Sequence, residues 1–185
     1  CKKYNAHLII DEAHATGVIG EQGEGLVQQL QLQNEIFCRI HTFSKACGCH
    51  GAAVLCSPRL RDYLINFARV FIYSTSLPEH AVATIQSSYK IFPFMAEERG
   101  HLQQLINMFQ QAVISFEKLD AETPIQGVIV PGNEQAKALA EKLQQNGLDV
   151  RPILSPTIAK GKERLRIVLH AFNTKEELQL LIDTL

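Results

Sequence analysis

The chain has 185 residues, of which 46% are hydrophobic and 20% are charged, and its formal net charge is −1 with neutral histidines. This balance is typical of a globular protein of one or two lobes, and it offers no basic surplus for nucleic acid or for an anionic membrane surface. No apolar run approaches the roughly 20 residues that a membrane-spanning helix needs, and an odd count of five cysteines argues against a disulfide framework and for a cytoplasmic location.

The first part of the chain alternates strand and helix patterns, which predicts an α/β architecture up to about residue 95. Short apolar or β-branched segments predict strands at 7–11, 36–43, 51–56 and 70–73. Apolar residues at helical spacing predict helices at 58–67 and 78–91. A loop with four glycines follows the first strand pattern.

The second part begins after Pro93, which interrupts the helical pattern. Large apolar residues then recur every three or four positions and predict a long amphipathic connecting helix over 96–120. The remainder, 121–185, predicts a small α+β domain. Its patterns are a strand at 125–130, a helix from about Asn133 to a Gly147 cap, a strand with one solvated face at 164–169 and a final helix opened by a capping box at Thr174.

Asp11 lies where the first strand pattern ends, and His14 follows three residues later. Open α/β sheets bind ligands beyond the carboxyl ends of their strands, so both side chains are candidates for one site. A carboxylate buried there would need a partner, which a protonated imidazole would supply. Taken alone, the two residues also fit a structural role in which Asp11 caps the next turn and His14 is merely hydrogen-bonded.

Lys45 stands in the segment 42–46, Thr-Phe-Ser-Lys-Ala, just past the second strand pattern. A desolvated lysine is a nucleophile towards aldehydes, and the hydroxyls of Thr42 and Ser44 could donate to a phosphate. A surface lysine with its ammonium in water is the alternative. Together with Asp11, the segment fits pyridoxal phosphate (PLP) chemistry, which needs a lysine at the aldehyde carbon and a carboxylate at the pyridine nitrogen.

These motifs resemble those of the α-oxoamine synthases, a family of fold-type I PLP enzymes. The resemblance is carried by Asp-Glu-Ala-His-Ala-Thr-Gly at 11–17, Thr-Phe-Ser-Lys-Ala at 42–46, Gly-Ala-Ala-Val-Leu-Cys-Ser at 51–57 and Ile-Tyr-Ser-Thr-Ser-Leu-Pro at 72–78. It implies an α/β fold of the PLP-dependent transferase type I. The C-terminal part of the large PLP-binding domain would then occupy 1–95, the connecting helix 96–120 and the C-terminal small domain 121–185.

By position, the resemblance assigns Lys45 to the covalent attachment of PLP. It assigns Asp11 to the pyridine nitrogen and His14 to the phenolic oxygen, and these three are the expected catalytic residues. Thr42 matches a ligand of the phosphate. Ser44 stands where many members have glycine, which adds a hydroxyl or crowds the site.

Further positions carry expectations about substrate and assembly. Ser74 and Thr75 match the segment that reaches the phosphate of the other subunit's cofactor, which implies a homodimer. Arg151 matches the arginine that holds the amino-acid carboxylate, for which a planar bidentate donor is suited, and Thr157 belongs to the same motif. A surface arginine on a loop is the alternative for Arg151.

The implied activity is a PLP-dependent decarboxylating acyltransferase that condenses an amino acid with an acyl thioester of CoA or acyl carrier protein to an aminoketone. The motifs are most similar to those of members that use L-alanine and a pimeloyl thioester in biotin synthesis. The alternatives are a glycine C-acetyltransferase and a non-catalytic subunit of a serine palmitoyltransferase-like complex. Cys47, Cys49 and His50 lack a second pair of zinc ligands, so no metal is expected. Since the chain opens almost at a strand and lacks the family's N-terminal half, we expect the natural protein to begin upstream.

Overall fold

The computed structural model describes residues 1–185 apart from the side chain of Lys2. It divides into two compact units, Cys1–Ala96 and Glu97–Leu185, and each unit contains a three-stranded sheet. The strands of the first unit are β1 (Ile9–Asp11), β2 (Cys38–Thr42) and β3 (Ala52–Cys56). Those of the second unit are β4 (Ile125–Ile129), β5 (Arg151–Ile153) and β6 (Arg164–Val168).

The first sheet has the order β1-β2-β3, in which β1 and β2 are parallel and β2 and β3 are antiparallel. Asp11 is aligned with Ile40 across the parallel pair, and β2 continues to Thr42. Parallel strands end at the same edge of a sheet. The segments that follow β1 and β2 therefore leave the first sheet side by side.

The helices of the first unit are α1 (Leu26–Gln29), α2 (Pro58–Phe67), α3 (Arg69–Ile72) and α4 (Glu79–Ile91). The predicted helices at 58–67 and 78–91 are confirmed. Ser57 starts α2, since its hydroxyl accepts the Leu60 N–H at 3.3 Å and Pro58 occupies the first turn.

The predicted strand at 70–73 is wrong, because these residues form the helical turn α3. The carbonyl of Ala68 accepts the N–H groups of Phe71 and Ile72 at 2.9 and 3.0 Å, which closes the turn. Val70 is 84% exposed. β-Branched and aromatic residues favour a strand through packing on neighbouring strands, and a residue this exposed receives little of that packing.

A small apolar cluster backs the segment that follows β2. Phe43, Cys47, Cys49 and Phe92 are buried together in it. The Cys49 thiol donates to the Cys47 carbonyl at 2.9 Å. Both cysteines therefore act as small packing residues beside Lys45.

The second unit combines an antiparallel sheet of order β4-β6-β5 with three helices. The helices are α5, which begins at the unit boundary (Ala96–Gln111), α6 (Asn133–Gln145) and α7 (Lys175–Thr184). The expected half-solvated strand is confirmed in β6, where Leu165 and Ile167 are buried and Arg166 and Val168 are exposed. The capping box is confirmed as well, with the Thr174 hydroxyl accepting the Glu177 N–H at 3.1 Å.

The connecting helix is shorter than the predicted 96–120, because α5 ends at Gln111. The Lys118 ammonium closes this end by donating, at 2.6–2.8 Å, to the carbonyls of Phe109, Gln110 and Ala112. The Leu119 N–H then donates to Gly127 of β4 at 2.8 Å, so the chain has already turned back to the sheet. Among the described residues, no helix combines the length and the apolar character that crossing a bilayer requires.

Candidate active site

The shared edge of β1 and β2 carries Asp11, which is the last residue of β1 and is exposed. Its Oδ1 accepts the N–H of Ala13 at 2.8 Å, and this bond orients the carboxylate. Asp11 therefore does cap the following turn. It is nevertheless accessible to a ligand, because the side chain is not enclosed by the unit.

His14 lies in the turn that follows β1. The turn is closed by the N–H groups of Ala15 and Thr16, which both donate to the Glu12 carbonyl at 2.9 Å. The His14 side chain is exposed. The structure thus brings His14 and Asp11 into one short segment at the carboxyl end of β1.

Lys45 lies in the exposed segment 44–46 beyond the end of β2. Its carbonyl accepts the Gly48 N–H at 2.9 Å, and the buried Phe43 anchors the segment from the other side. Gly17, with φ +80°, packs so closely here that an added Cβ would lie 3.0 Å from the Ala46 Cβ. The glycine loop and the lysine segment are therefore in contact, but the desolvation expected for Lys45 is not found within this unit.

Thr42 provides the observation that tests the fit of the site to PLP. Its Oγ1 is buried and has no hydrogen-bond partner within the described residues. An unsatisfied buried hydroxyl costs about 1–3 kcal/mol, so a phosphate oxygen at this position would remove a penalty. With Lys45 for the aldehyde carbon and Asp11 for the pyridine nitrogen, the residues present fit the cofactor.

Ser74 and Thr75 are exposed between α3 and α4 in the same unit. The Ser74 hydroxyl donates to the carbonyl of Val70. The following Leu77 packs against Gly51, where an added Cβ would lie 2.8 Å from Leu77 Cδ1. The segment is therefore tied to the start of β3, and its contact with a second subunit's cofactor stays a prediction.

A buried polar network beneath these residues was not predicted from the sequence. Glu12 is 1% exposed, and its Oε1 accepts the Val27 N–H at 2.6 Å. Its Oε2 lies 3.0 Å from His41 Nε2 and 3.8 Å from Arg39 Nη1. The Tyr89 hydroxyl lies 2.9 Å from His41 Nδ1. A glutamate followed by alanine at a strand end is a weak sequence signal for such a network. Its partners could be expected only from its burial, because a fully buried charged residue almost always has partners.

The protonation of His41 follows from its surroundings. Burial lowers the pKa of His41, and this effect outweighs the Glu12 carboxylate, which raises it. Burial also raises the pKa of Tyr89, so its hydroxyl keeps its proton. A neutral His41 then donates from Nε2 to Glu12 and accepts the Tyr89 hydroxyl at Nδ1.

In the second unit, Arg151 lies at the start of β5 and lines a surface groove of about 650 Å³. The groove is also lined by Arg166, His170 and Phe172. Arg151 Nε donates to Asp149 Oδ1 at 2.7 Å, but both side chains are more than 70% exposed. Exposed ion pairs contribute little, so the guanidinium can exchange this partner for a ligand.

Thr157 lies in the turn that follows β5, outside the set of residues that line the Arg151 groove. Asn133 holds this turn through two hydrogen bonds to the Ser155 backbone, at 2.9 and 3.1 Å. The structure therefore brings Arg151 and Arg166 to one groove, whereas Thr157 is exposed and does not line it.

The sequence matches a known protein family over its whole length. The family model "Aminotransferase class I and II" matches residues 1–185. An 8-amino-7-oxononanoate synthase of Emericella nidulans is 41% identical over 192 residues, which covers 98% of this chain and 46% of that protein.

Two solved structures share the fold. The serine palmitoyltransferase of Sphingomonas wittichii matches with a TM-score of 0.88 and 26% identity, over 99% of this chain and 47% of that one. The 8-amino-7-oxononanoate synthase of Francisella tularensis matches with a TM-score of 0.83 and 29% identity, over 96% and 53%. The fold is therefore the α/β fold of the type I PLP enzymes. The chain spans about half the length of the relatives it matches.

Proposed function

The chain belongs to the aminotransferase class I and II family, whose enzymes are PLP-dependent, and we propose that it carries the cofactor and substrate residues of a decarboxylating acyltransferase. One observation carries the proposal. The parallel pair β1 and β2 ends at one sheet edge, which carries Asp11, the accessible Lys45 and the Thr42 hydroxyl, for which the described residues offer no partner. This is the crevice position at which open α/β sheets bind ligands.

In this proposal, Lys45 binds the aldehyde carbon of PLP, Thr42 donates to its phosphate and Asp11 keeps the pyridine nitrogen protonated. His14 contacts the phenolic oxygen, and Ser74 and Thr75 serve the phosphate of the other subunit in a homodimer. When bound, PLP supplies an electron sink for the negative charge that develops at the Cα of the substrate.

The substrate steps are assigned to two residues. Arg151 holds the carboxylate of the amino acid through two parallel N–H donors, which fixes the orientation of the bonds at Cα. The Lys45 amine removes the Cα proton once it is free to act as a base, a role that the accessible position of its side chain permits. Attack of Cα on the thioester carbonyl would form the new C–C bond and release the thiol of CoA or acyl carrier protein, and loss of CO2 would then give the aminoketone.

We infer L-alanine and a pimeloyl thioester as the substrates, as in biotin synthesis. The support is the 41% identity to an 8-amino-7-oxononanoate synthase over 98% of this chain. Serine palmitoyltransferase chemistry is the second candidate, favoured by the TM-score of 0.88 to that enzyme. The lower identity of 26% in that comparison makes it the weaker of the two.

The test uses the natural protein that contains this sequence, supplied with PLP. Each of L-alanine, glycine and L-serine is combined with pimeloyl, acetyl and palmitoyl thioesters, and aminoketone and CO2 are measured. We expect turnover with L-alanine and a pimeloyl thioester. Turnover with another pair would replace the substrate assignment, and PLP binding without turnover of any pair would favour a non-catalytic subunit.

A further inference from the structure

The hydrogen-bonded network of Glu12, His41 and Tyr89 adjoins the residues proposed to bind PLP. Glu12 stands next to Asp11 in the sequence, and His41 stands next to Thr42. Glu12 and His41 are 1% and 3% exposed, and their side chains meet at 3.0 Å. One contact therefore joins the segment after β1 to the end of β2.

Glu12 fixes its own segment through backbone and side chain together. Its N–H donates to the Ile40 carbonyl at 2.8 Å, which extends the pairing with β2 by one residue. Its carbonyl accepts two N–H groups of the turn that carries His14, and its Oε1 accepts the N–H of Val27 at 2.6 Å. A displaced Glu12 would therefore move Asp11 and His14 with it.

His41 also forms a hydrogen bond with a residue of α4. Its Nδ1 accepts the Tyr89 hydroxyl at 2.9 Å. The Tyr89 ring meets Phe43 edge to face, with centroids 6.0 Å apart, and Phe43 opens the segment that carries Lys45. Through these contacts, the side chains of Glu12, His41 and Tyr89 connect the segment after β1, the segment after β2 and α4.

Gly25 allows the Glu12 carboxylate to lie close to the backbone. Gly25, with φ +102°, faces the carboxylate so closely that an added Cβ would lie 2.2 Å from Oε2. Buried charged networks of this kind rarely add stability over apolar residues of the same volume. In some proteins such networks fix one arrangement of the groups around them, and the groups around this network are the cofactor segments.

We propose that Glu12 and His41 are positioning residues, which hold the segment of Asp11 and His14 in register with the segment of Thr42 and Lys45. The inference rests on the proposed function, since it concerns the same PLP site. The groups that face the His41 ring are Glu12, Arg39 and Tyr89, and their charges bear on any pH dependence of the site.

The first test is Tyr89→Phe, which removes the hydroxyl that binds His41 and keeps the ring. Its matched control is Tyr63→Phe on α2, where the ring is 59% exposed and stacks on Phe67. The dissociation constant of PLP, the pH profile of the bound cofactor's absorbance and the Tm of the apoprotein are measured in the natural protein. We expect Tyr89→Phe to weaken PLP binding about two- to tenfold, the range for one hydrogen bond, and Tyr63→Phe to leave it unchanged.

The second test compares Glu12→Gln with Glu12→Ala. Glutamine keeps an acceptor for Val27 and can still bond His41 in its other tautomer, so it should restore much of the PLP affinity that alanine loses. Loss of the negative charge should also shift the absorbance profile of bound PLP to lower pH, because a nearby carboxylate favours protonated groups.

These outcomes separate the inference from the proposed function. If the wild-type protein binds no PLP, the proposed function fails. If it binds PLP but Tyr89→Phe and Glu12→Gln change only Tm, the network is merely structural and the positioning role is overturned. Should Tyr89→Phe not fold, Glu12→Gln decides by the same criterion.

Discussion

Arg151 on β5 lies directly opposite Arg166 on β6, and both side chains line the groove of the second unit. Like charges opposite each other on antiparallel strands destabilise a sheet, and here the Asp149 carboxylate offsets part of the repulsion through its 2.7 Å contact with Arg151. A carboxylate ligand in this groove would meet two planar donors. The strand register thus makes Arg166, in addition to Arg151, a candidate for binding the carboxylate of the amino-acid substrate.

The first prediction separates the two arginines. Arg151→Lys should raise the KM for the amino acid and lower kcat/KM on the order of ten- to a few-hundred-fold, because an ammonium cannot reproduce a bidentate contact. The KM for the acyl thioester should stay nearly unchanged. Steady-state kinetics with each substrate varied in turn provide the measurement, and Arg166→Lys is the matched variant.

Two results would revise this assignment. A rise in the thioester KM without a rise in the amino-acid KM would place Arg151 at the other substrate. A large loss in Arg166→Lys with little change in Arg151→Lys would transfer the carboxylate to Arg166.

The second prediction concerns the covalent attachment of PLP. Lys45→Ala should abolish the attachment, since no amine remains at the aldehyde carbon. Borohydride reduction followed by peptide mass spectrometry should find PLP on Lys45 in the wild-type protein and on no peptide of the variant. Lys90→Ala, a change of an exposed lysine on α4, is the control and should leave the labelling intact. PLP trapped on another lysine in both proteins would contradict the assignment.

The third prediction is that Asp11→Asn leaves PLP bound but lowers turnover about 10²- to 10⁴-fold. The amide oxygen can still accept the Ala13 N–H, so the turn should keep its shape. What the variant loses is the charge that holds a proton on the pyridine nitrogen. Asp62→Asn on the exposed face of α2 serves as the control. Activity of Asp11→Asn within a factor of about two of wild type would exclude the role.

Local patterns predicted those parts of the site that depend on one segment of sequence. Asp11 and Lys45 could be assigned to strand ends because the strand patterns stop there, and the parallel pairing of β1 and β2 then brought the segments that carry them to one edge. The contact between Glu12 and His41 joins residues 29 positions apart. Its existence depends on register, which no single segment reveals.

The end of α5 also depends on contacts that a helical pattern in the sequence does not show. The apolar pattern of α5 continues past Gln111, but the Lys118 ammonium binds the carbonyls at the end of the helix and the chain returns to β4.

The role of Arg166 was only partly predictable. It was predicted as a solvated strand residue, and it is exposed in β6. Its position opposite Arg151 follows only from the pairing of β5, a strand that the Arg-Pro-Ile sequence did not predict.

Glu163 is a buried carboxylate that lies just before β6 in the second unit. It is 1% exposed, and its Oε2 accepts the N–H groups of Gly132 and Gly161 at 2.9 and 2.8 Å. The bond from Gly132 is the main reason that the pKa of Glu163 is lowered, and Gly132 also precedes α6, whose N-terminus favours a negative charge.

The fourth prediction follows from the direction of this pKa shift. A carboxylate whose pKa is lower in the folded state stabilises the fold above its ordinary pKa of about 4.3, and the contribution is lost as pH falls through the lower folded-state value. Glu163→Gln keeps an oxygen for the two N–H groups but cannot ionise, so it should lower the free energy of unfolding at pH 7. Because only the wild-type residue titrates, the difference between the two proteins should shrink on acidification. Denaturant unfolding at several pH values measures it, with the exposed Glu141→Gln on α6 as the control. A difference that stays constant with pH, or one that Glu141→Gln reproduces, would show that the charge of Glu163 does not stabilise this unit.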